Sequence, residues 1–340
     1  MMSEDSSSQS QSNDSKQGSE QKEHKSEHSQ PKKSFSEQEH ELIEKGKKFY
    51  EKNYKLLMII PIVIFLLAVG QIAYQVASTG SFINKGISLS GGMSITVPLD
   101  KDIDASAVRS SLESQFKNHD INVRHLESFG KSSGIVVEAD IDVNDKATYD
   151  SFIKAIGSAL GKDLKQGDYN TEFFGSSLGN SFFQEAFKAM IVAFIFMSIV
   201  VFIMFRNFVP STAIILCCFC DLVVTVAAVN VLGVRVGTAG IAGFLMLIGY
   251  SVDTDILLSS RVLKRTEGTV VDRMYGSMKT GMMLTLTAIT VTIIALIFSK
   301  SEVLSQIMLI VTIGLFADII FTWIQNAGIL KWYMEKKHKA

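Results

Sequence analysis

The chain has 340 residues, 47% of them hydrophobic and 20% charged, against about 25% charged for an average soluble chain. Its apolar residues gather into long uncharged runs and its mean hydropathy is +0.24, which excludes a single soluble globule. A net charge of −1, from 33 basic and 34 acidic residues, offers no basic surface to nucleic acid.

Residues 1–40 are rich in Ser, Gln, Glu and Lys and hold one aromatic residue, Phe35. Such a stretch cannot bury enough surface to offset the entropy of ordering it, so a disordered cytoplasmic tail is expected. His24, His28 and His40 are scattered there without ligand spacing. Residues 41–55 form a basic juxtamembrane segment carrying Lys45, Lys47, Lys48, Lys52 and Lys55. A first transmembrane helix is expected over 56–77, since crossing roughly 30 Å of hydrocarbon takes about 20 apolar residues. It begins far into the chain and is expected to stay as an anchor, not to be cleaved.

Residues 78–185 read as a soluble α+β domain. Short β-like runs at 94–99, 121–128, 134–139 and 169–174 alternate with helical spacing at Ala105, Val108, Leu112 and Phe116, and at Tyr149, Ile153, Ile156 and Leu160. The order β-α-β-β-α-β is the ferredoxin-like pattern. No nucleophile sits beside a base and no ligand cluster occurs, with His119 and His125 read as surface or edge residues. A binding or lever domain is expected, not an enzyme.

Residues 186–330 read as a five-helix bundle with spans at about 186–205, 209–232, 236–260, 280–299 and 303–330, followed by a basic C-terminus at 331–340. Cys217, Cys218 and Cys220 lie inside one span, which excludes a disulfide framework or a zinc ribbon. Lys and Arg crowd the segment before the first span, the loop between the fourth and fifth (Arg261, Lys264, Arg265, Arg273, Lys279) and the C-terminus. Only Arg235 and Lys300 mark the opposite short loops. Both termini are therefore expected in the cytoplasm and the α+β domain outside.

Four acids fall within the spans: Asp221, Asp253, Asp255 and Asp318. Each costs at least ~2.5 kcal/mol to insert, and such acids usually face a bundle interior or a water path. They are the candidate ion-coupling residues, with snorkelling to the interface as the plainer alternative. Gly240, Gly243 and Gly249 give the fourth span a small-residue surface for close helix contact. Thr280, Thr287 and Thr290 share one face of the fifth, and Thr285 and Thr292 another. Their hydroxyls either line a water path or bond their own backbone.

Four motifs resemble the SecF branch of the SecD/SecF protein-export family, within the resistance-nodulation-division superfamily, over residues 50–335. They are Gly86-Ile87-Ser88-Leu89-Ser90-Gly91-Gly92, Phe174-Gly175-Ser176-Ser177-Leu178-Gly179, Asp221 after Cys220, and Gly249-Tyr250-Ser251-Val252-Asp253-Thr254-Asp255 closed by Arg261. Ser88 stands where the family usually has Asp, acids flank Thr254 where bacterial members place one, and Met283 stands at a bacterial Arg. The flanking acids are more like archaeal members.

The resemblance implies an α-helical multi-pass membrane protein with six transmembrane helices and an extracytoplasmic ferredoxin-like domain between the first two. It implies a plasma-membrane subunit that pairs with SecD beside a SecY/SecE-type translocon. The pair would use a proton or sodium gradient to promote preprotein export, with no cofactor or metal. Asp221, Asp253, Asp255 and Asp318 would couple the ion, supported by Tyr250, Thr254, Gly249, Gly243, Thr280, Thr287 and Arg261. The alternatives are a structural SecD partner without ion coupling, a lipid or small-molecule exporter of the same superfamily, and an intramembrane aspartyl protease built on Asp255 and Asp318. No G-x-x-x-x-G-K phosphate loop occurs, so energy would come from the gradient or another protein.

Overall fold

The computed structural model describes residues 35–99, 103–128, 131–141, 145–299 and 301–339. Residues 1–34 of the expected tail, and Phe129 and Gly130 of the expected β2–β3 turn, lie outside the described residues. Helix α1 (Phe35–Leu57) begins inside the segment expected to be unstructured, because Glu, Gln, Lys and Leu are good helix formers. It crosses from a first unit ending at Glu44 into a second, Lys45–Ala340, which holds everything described below.

Met58 separates α1 from α2 (Ile59–Thr79). Pro61 is the cause: it has no N–H to offer the carbonyl of Leu57, and its ring suits a first helical turn. Pro210 repeats the device at the tight link between α6 (Ser176–Phe205) and α7 (Phe208–Val231), where Arg206 adopts a left-handed φ of 52°. Then follow α8 (Thr238–Lys264), α9 (Val270–Phe298) and α10 (Glu302–Ile320), which runs through a π-helical turn (Phe321–Asn326) into α11 (Ala327–Lys339). Among the described residues six helices are long and apolar enough to cross a membrane. Helix α9 starts ten residues before its expected span because Thr269 and Asp272 form a reciprocal capping box.

Between α2 and α6 lie the short helix α3 (Ile87–Ser90), strands β1 (Gly92–Pro98), β2 (Ile121–Ser128), β3 (Lys131–Ala139) and β4 (Asn170–Phe174), and helices α4 (Ala105–Gln115) and α5 (Lys146–Leu160). The strands form one antiparallel sheet in the order β2-β3-β1-β4. Met93, Ile95 and Val97 alternate with the residues of the opposite face and pack with Val108, Leu112, Phe152 and Ile156 into one core.

Asp104 and Asp145 cap α4 and α5, accepting from the amides of Ser106 and Thr148 at 2.9 and 3.1 Å. The hydroxyl of Ser106, and that of Thr148, together with these amides, hold the two carboxyls below the usual range. A depressed folded-state value stabilises the fold above the unfolded carboxylate's pKa and ceases to do so as pH falls through the folded value. Amide exchange in the first turns of α4 and α5, corrected for intrinsic rate, is therefore expected to accelerate as pH falls below about 4, the ordinary carboxylate value, ahead of the β1–β3 ladder. Asp145→Asn should lose that pH dependence in α5 alone.

The sheet region is tied to the bundle by named contacts. Val236, between α7 and α8, donates to the carbonyl of Asn84 at 2.7 Å and accepts from the amide of Gly86 at 2.8 Å. Arg235 pairs with Asp120 at 2.7 Å. A Cβ on Gly179 would stand 3.0 Å from the Leu89 carbonyl, so glycine lets α6 and α3 meet and brings the two sequence-distant glycine motifs together. At the other end of the bundle Tyr54 donates to Glu335 at 2.7 Å, and Lys331 reaches the carbonyl of Glu51 at 2.9 Å.

Candidate functional site: a buried acidic cluster

Helices α7, α8 and α10 each bring one carboxylate to the middle of the bundle: Asp221, Asp255 and Asp318, all with no exposed surface. Ser251, four residues before Asp255 on one face of α8, donates to Asp221 Oδ2 at 2.6 Å. Thr254 Oγ1 lies 3.1 Å from both oxygens of Asp318. Thr322 Oγ1 stands 2.9 Å from Asp255 Oδ1 and 3.0 Å from Asp318 Oδ1, and Asn326 Nδ2 donates to Asp255 Oδ1 at 2.7 Å. Cys217 approaches Thr322 at 3.8 Å, at the limit for a sulfur contact.

This geometry restricts where protons can be. A threonine hydroxyl has one hydrogen to donate. Thr322 can give it to Asp255 or to Asp318, and its other contact is a hydrogen bond only if that acid carries a proton. Asp221 Oδ1, Asp255 Oδ2 and Asn326 Oδ1 are buried with no partner among the described residues. Such atoms are costly to leave without a partner. No Lys, Arg or His of the described residues forms a salt bridge with the three acids. Two bare charges about 4 Å apart repel by roughly 4 kcal/mol at an effective dielectric of ~20, so three at once are heavily disfavoured.

Asp253 does not join the cluster. Two residues from Asp255, it points to another side of α8 and is exposed. With Tyr250, Thr254 and Arg261 it lines a groove between α8 and α9. Gly249 also opens onto free space, whereas Gly243 is packed against α10, its notional Cβ 3.2 Å from Ile310. Arg261 ties α8 to α9 through the Gly276 carbonyl at 2.8 Å and Thr280 at 2.9 Å. Thr287 and Thr290 bond the backbone of Met283 and Leu286 and face outward, away from the acids. Met283 is likewise exposed. Among the described residues no group of three or more His, Cys, Asp or Glu is arranged to hold a metal ion.

Thr322 and Asn326 lie outside the four motifs, and Ser251 stands in the Gly249–Asp255 motif without a role of its own. A signal was present: Asp318, Thr322 and Asn326 follow one another every fourth residue, one face of a helix inside an apolar span. The π turn widens the helix there, a deviation that recurs at functional positions.

Six long apolar helices among the described residues, with a buried cluster of acids contributed by three of them, define a multi-pass membrane protein. Residues 153–336 match the family model for the C-terminal region of the protein-export membrane proteins SecD and SecF. SecF of Methanocaldococcus jannaschii is 37% identical over 83% of this chain and 96% of its own, and SecF of Pyrococcus furiosus 34% over 88% and 98%. The chain belongs to the SecD/SecF family of protein-export membrane proteins, on the SecF side. The crystal structure of SecDF from Thermus thermophilus, a translocon-associated membrane protein, shares the fold, with a TM-score of 0.66 at 18% identity. That match covers 84% of this chain, which spans 38% of the Thermus chain.

Proposed function

We propose that this chain is the SecF-type half of an accessory protein translocase, pairing with SecD and drawing on the proton or sodium gradient to promote preprotein export. The observation that carries the reading is the cluster of Asp221, Asp255 and Asp318, three acids from three helices bridged by hydroxyls. A proton or sodium ion entering it changes which hydroxyl donates to which acid, and so favours a different packing of α7, α8 and α10. Each charge moved through 100 mV supplies about 2.3 kcal/mol.

In this reading the sheet region is a ferredoxin-like domain outside the plasma membrane, and both termini lie in the cytoplasm. The Arg235–Asp120 pair and the Val236 backbone contacts carry helix movement into it. A SecY/SecE-type translocon and emerging preproteins are its partners there.

Asp253 supports the pairing. It is exposed, and it stands eleven residues before the basic end of α8 at Lys264, roughly 16 Å by helical rise. An acid left exposed within a membrane span is unfavourable, and a partner helix seated over Gly249, Tyr250 and Asp253 would cover it. A pull-down of the tagged chain from native membranes in mild detergent should recover a second six-span protein of the same family, and Asp253→Arg should lose it. Recovery of the wild-type chain alone or as a homo-oligomer would overturn the pairing and favour a self-contained exporter.

A further inference from the structure

At the end of the bundle next to the sheet region, helices α2, α6, α7 and α8 leave an apolar cavity of about 330 Å³. That is within the usual range for small-molecule sites, about 300–1,000 Å³. Its walls include Phe183, Phe187, Phe194 and Phe219, and almost no polar atom reaches it. It is not sealed: Ile191, Ile195 and Phe219 are 45%, 51% and 45% exposed on the lipid-facing side. From Phe183 to Ile195 the lining runs twelve residues along α6, roughly 18 Å of rise, close to half of the ~30 Å hydrocarbon core.

A cation stands at one end. Lys85, held by the Asn84–Val236–Gly86 backbone contacts, places its ammonium 4.1 Å from the ring centre of Phe183. Among the described residues no carboxylate pairs with it. We infer that this groove is a binding site for one anionic membrane phospholipid, its hydrocarbon chain between α2 and α6 and its phosphate on Lys85. Three features fit that ligand together: a slot about one leaflet long, opening sideways to the bilayer, with the Lys85 ammonium over the Phe183 ring at one end of its wall. Hydrocarbon gains little on leaving other hydrocarbon, so preference for this site comes from the charge and from the rigid phenyl walls.

The test is native mass spectrometry of the full chain drawn from vesicles of equimolar phosphatidylglycerol and phosphatidylcholine. The expected result is one retained phosphatidylglycerol at no less than fivefold excess over phosphatidylcholine. Lys85→Gln should abolish that preference and Lys85→Arg should keep it. Met190→Trp, which fills the cavity, should lower total retention while recovery of the folded chain is unchanged. Equal retention of the two lipids by the wild type, or an undiminished preference in Lys85→Gln, would overturn the proposal. So would quantitative cross-linking of Ile191→Cys to a partner protein in native membranes, since a protein helix would then occupy the groove. Because the readout is bound lipid, it stands or falls apart from ion coupling.

Discussion

Replacing both Asp255 and Asp318 with asparagine is expected to leave the chain folded and inserted but to remove the gradient-dependent part of preprotein export. Asparagine has nearly the shape of aspartate and can still accept from Thr254, Thr322 and Asn326, so the packing of α8 on α10 should survive. What it cannot do is take up or release a proton, or offer a charge to sodium. Losing one coupled charge forfeits about 2.3 kcal/mol per 100 mV, roughly a fifty-fold bias in a two-state equilibrium. The measurement is export of a secretory preprotein with and without an uncoupler, in cells whose only copy is the variant. Wild-type cells should slow sharply on uncoupling, whereas the double variant should start slow and not respond. Asp253→Asn, outside the cluster, should keep most of the response. Full uncoupler-sensitive export in the double variant would leave the chain a structural partner without ion coupling.

Gly92→Ala is expected to be a severely damaging small change in the sheet region. Gly92 sits at φ 131°, and a Cβ there would stand 2.3 Å from the carbonyl oxygen of Ala139 on β3. The obstacle is backbone, so no rotamer relieves it. Forcing such a conformation costs of order 1–3 kcal/mol before the clash is counted, and the clash either separates β1 from β3 or moves the start of β1. Since β1 is paired on both sides, to β3 and β4, the damage reaches the whole sheet. The expected outcome is a steady-state level several-fold below wild type and rapid proteolysis between α2 and α6. Gly161→Ala is the control: its φ of 64° is also strained, but a Cβ there meets nothing within 4 Å, so it should cost less. Equal protease resistance of Gly92→Ala and wild type would refute the argument.

Much of the architecture is legible in the sequence because hydrocarbon allows few solutions. Six apolar runs stand out, and in the sheet region the two-residue and three-to-four-residue periods separate strands from helices. The ends of elements are less legible. Helices α6 and α9 start about ten residues before their apolar runs, since their first turns are polar and held by a glycine approach and a capping box. The acids themselves are visible as costly residues, but their grouping is not. Asp253 and Asp255 look equivalent in a string, yet two residues of helix place them on different sides. The hydroxyl and amide partners are only half visible: the four-residue spacing of Asp318, Thr322 and Asn326 puts them on one helical face, but nothing in the string says that Thr322 and Asn326 reach Asp255 on α8.

The π turn also fixes an angle. Each residue of α-helix advances the chain by about 100° around its axis, so one extra residue held in Phe321–Asn326 sets everything after it out of phase by that amount. Glu335 and Lys331, which clasp Tyr54 and the backbone of Glu51, lie beyond it. The azimuth at which α11 meets α1 is thus set by the same turn that carries Thr322 and Asn326, which hold Asp255. Were the π turn to relax to α geometry, the two ends of this helix would have to counter-rotate, and the clasp and the cluster would lose alignment in one step.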